Sequence, residues 1–283
     1  LFDLLLYLNI PIVYGIFFLS LNTLLVTDST SEIIGIILSA SIVMATNGIN
    51  VGHELGHRKS LLSRTCSKLL YLPCQYMHFF IEHNYGHHIN VATPDDPATA
   101  KYKQNLYSFW ISSVSKTYVS AWKIQLRLLK VSKLGFFSIK NDMMFYTFFQ
   151  ILFLFLIYYN YGLTITIFSL FMSIVSFLFL ETINYIEHYG LMRKIKSNGR
   201  YERVKPHHSW NSNHTVGRIV LYELTRHSDH HFISSKKYQV LESIEDSPQL
   251  PYGYPTSILI SFFPPLWFKI MNPRVEYYMG YTN

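Results

Sequence analysis

Thirteen histidines sit in a chain of 283 residues, and nine of them fall into tight sets. His53 and His57 are four positions apart. His83 and His87 are also four apart, with His88 directly after. His188 follows Glu187. His227 is followed by His230 and His231. Side chains three and four positions apart share one face of a helix, so each set can aim its imidazoles at a single point. Imidazole nitrogen is a ligand for zinc, copper, iron and nickel. A structural zinc takes about four ligands and a catalytic zinc about three. His53, His57, His83, His87, His88, His188, His227, His230 and His231 are therefore too many for one ion, and suit two ions with about four or five nitrogens each.

Carboxylates accompany these sets: Glu54, Glu82, Glu187 and Asp229. A metal-bound imidazole commonly gives its second N–H to a carboxylate, and that is the role expected of them, with a bridge between the metals as the alternative for one. Glu181 ends an apolar run, and ionisable groups at membrane depth are functional by default. Glu181, Glu187 and Asp229 are the candidates for orienting ligands or relaying protons. The remaining histidines, His78, His207, His208 and His214, are read as non-ligands. A satisfied structural role is expected for His78, and hydrogen-bonded support of the site for His208.

The elements that must carry these residues are helices in a membrane. Charged residues make up 14% of the chain, against roughly 25% in soluble domains. The 24 lysines and arginines occupy only Arg58–Lys140 and Arg193–Arg274. Between and before them, Leu4–Val26, Ile33–Val51, Met143–Tyr159 and Leu163–Leu180 are apolar, and each is about long enough to cross a bilayer core of roughly 30 Å. Backbone groups in lipid must be satisfied internally, so all four are expected to be helices, paired as hairpins over 4–51 and 143–180. The turns within the pairs carry no cation, so the basic blocks 52–142 and 181–283, with every histidine, belong on the cytoplasmic side. Leu69–Ile81 is too short to span and suits a re-entrant or interfacial segment. Tyr107–Lys130 reads as an amphipathic helix at the interface, with Trp110, Val114, Tyr118, Trp122 and Leu129 on one face. Ser257–Met271, holding Pro264 and Pro265, is expected only to dip into the membrane. The expectation is one all-α, polytopic membrane domain over 1–283, with the histidine-held dimetal site at its cytoplasmic end. Two cysteines exclude a disulfide scaffold, and the basic balance reflects topology and anionic lipid, with no nucleic-acid motif beside it.

His53-Glu54-Leu55-Gly56-His57 fits the H-E-x-x-H pattern of zinc peptidases, but that chemistry leaves most of the other clustered histidines without work. A metal transporter would place its site near the bilayer midplane, whereas these ligands gather on one side. A fuller match exists. Asn50–His57, Glu82–His88, Asn184–Leu191 and Arg226–His231 resemble the histidine boxes of the bacterial integral-membrane alkane 1-monooxygenase family, within the membrane desaturase and hydroxylase superfamily. Gly199–Arg203, His208–Ser212, Pro248–Pro251 and Phe263–Trp267 resemble it too, so the likeness runs over about residues 1–275. Arg58 in place of lysine, Thr225 in place of glutamine and Phe232 in place of a small residue depart from the pattern without removing a ligand. Members of that family carry roughly two further helices before this start, so the chain is expected to be an N-terminally shortened piece.

The resemblance implies two non-haem iron ions, molecular oxygen, and electrons from rubredoxin supplied by its reductase. It implies hydroxylation of the terminal carbon of medium- or long-chain n-alkanes to 1-alkanols, in the bacterial inner membrane with the active site facing the cytoplasm. The alternative within the same chemistry is a membrane hydroxylase or desaturase acting on fatty acyl, aryl or terpene substrates. Residues of Ile33–Asn47 and Phe171–Leu180 are candidates to line an apolar channel. Cys66 and Cys74 cannot form a rubredoxin centre, which needs four thiolates, so the electron carrier lies elsewhere.

Overall fold

The computed structural model describes residues 2–280, and among these the chain is all helix and loop, with isolated bridges at Ile195–Tyr201 and Asn211–Gln249 in place of strands. The helices are α1 (Phe2–Leu25), α2 (Thr30–Val43), α3 (Asn50–Gly56), α4 (Leu61–Tyr71), α5 (Phe79–Glu82), α6 (His88–Asn90), α7 (Leu106–Val131), α8 (Asp142–His188), α9 (Thr215–Val220), α10 (His227–Phe232), α11 (Tyr254–Ser261) and α12 (Pro264–Met279). Two π-turns interrupt the early helices, Met44–Ile49 between α2 and α3 and His83–His87 between α5 and α6. Among the described residues, three stretches are long and apolar enough to cross a membrane: Phe2–Leu25, Thr30–Gly56 and Asp142–His188. The protein is an integral membrane protein.

The chain divides into two compact units, one of Leu1–Asn84 with Tyr118–Leu180, the other of Tyr85–Thr117 with Glu181–Asn283. In the first, α1 buries Leu6, Val13, Phe17, Leu21 and Leu24, a stripe at helical spacing. Its polar tie is Asn9, whose carbonyl oxygen accepts the side-chain amide of Asn47 at 2.7 Å. Such bonds hold membrane helices together where lipid provides no hydrophobic drive. The backbone between α4 and α5 is non-helical, and three of its polar groups are met by side chains of α8. Ser173 donates to the Pro73 carbonyl at 2.8 Å, and Gln150 accepts the Met77 amide at 3.2 Å. Irregular backbone at depth is tolerated only when buried and paired in this way.

The long helix α8 breaks its helical geometry at Gly162 (φ 77°, ψ 177°), within the turn expected between the third and fourth apolar runs. Its second arm continues past Leu180 to His188, so Glu181 lies inside the helix and not at its end. Helix α7 covers the expected stretch, but its buried face is Phe109, Ser113, Thr117, Ala121, Gln125 and Leu129. Phe109, Ser113, Thr117 and Ala121 each lie one position before a residue of the face read from the aromatics, because small and hydroxyl side chains permit close packing while Tyr118 stays exposed. In the second unit, α11 and α12 meet at a break before Pro264, which starts α12 where its missing N–H costs nothing.

Candidate metal centre

The first unit brings together three of the nine candidate ligands. His53 and His57 lie on and at the end of α3, and His83 opens the second π-turn. The His57 and His83 Nε2 atoms are 3.2 Å apart, and the His53 ring centre is 4.2 Å from that of His83. Close approach of α4 makes the trio possible. A Cβ on Gly52 would sit 2.9 Å from the Tyr71 ring, and Ser67 donates to the Gly52 carbonyl at 2.6 Å. Glu54 on the same helix pairs with Arg58 at 2.5 Å.

The second unit assembles a quartet: His87, His188, His227 and His231, each with a nitrogen within 4.8 Å of the others'. The Nε2 atoms of His227 and His188 are 3.0 Å apart, those of His231 and His227 2.9 Å, and those of His87 and His231 3.2 Å. Four nitrogens about 2.0–2.1 Å from a tetrahedral ion would be separated by about 3.3 Å. The observed spacing thus fits an ion at the centre, and the Nδ1 atoms of His188 and His231 make no hydrogen bond that would divert them. Burial, then the imidazoles around it, hold His231 neutral well below the usual histidine range. Burial brings His230 down to about 3. Metal ligation requires the neutral ring. His88 and His230 also lie in the second unit, outside the quartet, the His88 ring centre 5.0 Å from that of His230 and 4.6 Å from that of His231.

The quartet is built by loop residues that capture helix ends. Trp210 donates its backbone N–H to the Glu187 carbonyl at 2.8 Å and its indole N–H to the Tyr189 carbonyl at 2.9 Å. These carbonyls sit where α8 leaves its last residues unpaired. The next residue, Asn211, accepts the Ser228 amide at 2.7 Å and donates to its hydroxyl at 2.8 Å, fixing the start of α10. One dipeptide therefore brings the His188 end of α8 to the His227 end of α10.

A scan against family models matches the fatty acid desaturase family over residues 31–259. Alkane 1-monooxygenase 2 of Pseudomonas aeruginosa is 41% identical over 87% of this chain and 66% of its own length. Its namesake from Alcanivorax borkumensis is 41% identical over 87% of this chain and 65% of its own length. Alkane 1-monooxygenase 1 of Alcanivorax borkumensis is 38% identical over 95% of this chain and 67% of its own length. This chain belongs to the alkane 1-monooxygenases of the fatty acid desaturase family. It spans about two thirds of the length of the curated relatives it matches.

Within this family frame the carboxylates take separate parts. Glu187 accepts the Tyr254 hydroxyl at 2.7 Å through Oε1, and its Oε2 lies 3.2 Å from the His227 Nε2. That places one oxygen on the ligand-facing side of the quartet. Asp229 hydrogen-bonds to Lys236 and to the Glu242 amide, both at 2.7 Å, instead of to an imidazole. Glu181 is buried in α8, where it accepts the Ser113 hydroxyl at 2.5 Å. Glu82 is reached by the Ser120 hydroxyl at 3.5 Å.

Two residues of the site are not visible in the sequence pattern. Asp96 accepts His87 Nδ1–H at 2.9 Å, so it fixes the tautomer whose Nε2 faces the quartet. It is itself held by the Thr99 hydroxyl at 2.5 Å and the Ala98 amide at 3.1 Å. Tyr254, the donor to Glu187, is the other. A further group, Glu202 with His207 and His208, is not ligand-ready. His208 Nδ1 accepts the Lys205 amide at 3.0 Å, so its proton resides on Nε2, which points at Glu202 from 3.3 Å. His208 thus supports the loop that carries Trp210. His78 is buried between the Tyr76 and Tyr118 rings with Nε2 unpaired, so the satisfied role expected of it is not what the structure gives.

Proposed function

We propose that this protein is a non-haem di-iron monooxygenase that hydroxylates the terminal carbon of medium- or long-chain n-alkanes to 1-alkanols. Oxygen is the co-substrate, and rubredoxin, fed by its reductase, supplies the electrons. The observation that carries the reading is the quartet of imidazoles facing one another nitrogen to nitrogen, in a chain whose relatives bear the name alkane 1-monooxygenase.

His87, His188, His227 and His231 are assigned to one iron. By ligand count, the remaining five, His53, His57, His83, His88 and His230, are assigned to the other. The iron pair supplies activation of oxygen and cleavage of a C–H bond that offers acid–base catalysis no handle. The chain's own residues do the rest. Asp96 holds His87 in the ligating tautomer. The Tyr254 hydroxyl keeps one Glu187 oxygen occupied, which leaves the other to accept a proton beside His227. The apolar helices α1, α2 and α8 let an alkane arrive from lipid and exclude water from the reacting carbon. The site is assigned to the cytoplasmic face of the bacterial inner membrane, because the lysines and arginines share the histidine-bearing blocks. The basic surface there suits an acidic electron carrier.

The test is twofold. Purified protein should hold two irons per chain, and membranes containing it should convert a graded n-alkane series to 1-alkanols when rubredoxin and its reductase are supplied. Iron-loaded protein that oxidises fatty acyl, aryl or terpene substrates and no alkane would move the assignment to the sister chemistry. One zinc per chain would end it.

A further inference from the structure

The box His83-Asn84-Tyr85-Gly86-His87-His88 serves two ligand sets at once. His83 joins the trio with His53 and His57, whereas His87 joins the quartet with His188, His227 and His231. In an unbroken α-helix the two side chains would lie about 40° apart on one face. The π-turn over His83–His87 puts an extra residue into the turn between them.

Asn84 stands at this transition. The His83 amide still bonds the Phe79 carbonyl in ordinary α fashion. The next carbonyl, that of Phe80, receives the Asn84 side-chain amide at 2.7 Å. The same Nδ2 would lie 3.4 Å from a Cβ built on Gly56, so it packs directly on the α3 backbone beside His57. Back-bonding to the carbonyl four residues earlier recurs elsewhere, as from Ser41 to Ile37 and Thr46 to Ile42. Here it coincides with a change of helix type and with contact to the helix bearing two other ligands.

We propose that Asn84 is a positioning residue whose amide holds the α-to-π transition and so sets the orientation of His83 toward His53 and His57. The assignment rests on the dimetal reading above. Asn84→Asp keeps the shape but turns an acceptor toward the Phe80 carbonyl, and Asn84→Ala removes the donor without adding charge. Asn84→Ser restores a short donor able to back-bond. The experiment measures iron per chain in purified full-chain protein, the ligand-field spectrum of the cobalt(II)-substituted form, and the melting temperature. Metal affinity at the trio should fall about 10–100-fold in the Asp and Ala variants. Iron then drops from two per chain toward one, and the cobalt spectrum loses one of its two components. The serine variant recovers both, and melting of the metal-loaded proteins stays within a few degrees of wild type. Two irons retained in both the Asp and Ala variants, or a serine variant as depleted as alanine, overturns the proposal. If aspartate prevents folding, the alanine and serine pair decides between the same two outcomes. Wild-type protein holding fewer than two metals overturns the dimetal reading itself, and this assignment with it.

Discussion

Asp96 offers the sharpest test of how the quartet is built. Its Oδ2 accepts His87 Nδ1–H at 2.9 Å and the Thr99 hydroxyl at 2.5 Å, while Oδ1 takes the Ala98 amide at 3.1 Å. Every contact is a donation toward the carboxylate, and the bond from Nδ1–H makes the His87 ring a stronger ligand. Asp96→Ala removes this support and leaves Nδ1–H without an acceptor in a buried site. Losing such a partner costs about 10–100-fold in metal affinity, or about 1.4–2.8 kcal/mol. Asp96→Asn can keep its oxygen on both His87 Nδ1–H and the Thr99 hydroxyl but then turns its NH₂ against the Ala98 amide, so its loss belongs near the tenfold end. Chelator competition on the purified protein reads both numbers. Asp95, adjacent but exposed, supplies the control, since Asp95→Ala removes the same charge without touching a ligand. Wild-type affinity in Asp96→Ala, or an equal loss in Asp95→Ala, would refute the argument that this bond orients His87.

Three further outcomes follow from the geometry. Gly190→Ala places a Cβ 2.7 Å from Val275 at a φ of +72°, for a loss of about 1–2 kcal/mol from strain and about 1–3 kcal/mol from overpacking. Adding Val275→Ala should return the packing part alone, so full recovery of the melting temperature would contradict the strain. Tyr254→Phe leaves a buried Glu187 oxygen without its donor and should cost about 1–3 kcal/mol; an unchanged melting temperature would mean that the hydroxyl does not hold Glu187. Burial, helped by the His207 imidazole, brings His208 down to about 4, from an ordinary 6.5. Between these values the unfolded chain binds a proton that the folded chain does not. Stability therefore falls as the pH drops from about 6.5 to 4, by at most about 1.4 kcal/mol per pH unit. His208→Asn should flatten that part of the melting curve against pH, and identical profiles would exclude it.

Much of the helical frame is legible because lipid imposes a simple rule: long apolar runs without cations must be helices. The ligand sets are legible for a related reason, since imidazoles at three- and four-residue spacing share a face. Other features are not. The π-turns leave no trace in a periodicity read at 3.6 residues per turn, so nothing in His83–His88 announces that its histidines part company. Asp96 reaches His87 through a loop, Val91–Ala100, whose path is set by bonds such as Ala92 N–H to the Thr99 hydroxyl, and loops have no period to read. The Asp96-Pro97 pair following a histidine box is the available hint. The buried face of α7 lies one position from the one its aromatics suggest, because size alone does not mark burial. Ser113, Thr117 and Ala121 are what allow the helix to pack closely.

The quartet also sets a timetable for biosynthesis. His87 and His231 meet although 144 residues separate them, and the Trp210 and Asn211 clasps lie between. At ribosomal speeds of about 5–20 residues per second, roughly 7–30 s pass between the emergence of the first imidazole and that of the last. Throughout that interval the earlier histidines are in place with no complete cage to close. Insertion of the ion is therefore a late event, and a cell short of metal would accumulate chains that are threaded through the bilayer yet inert.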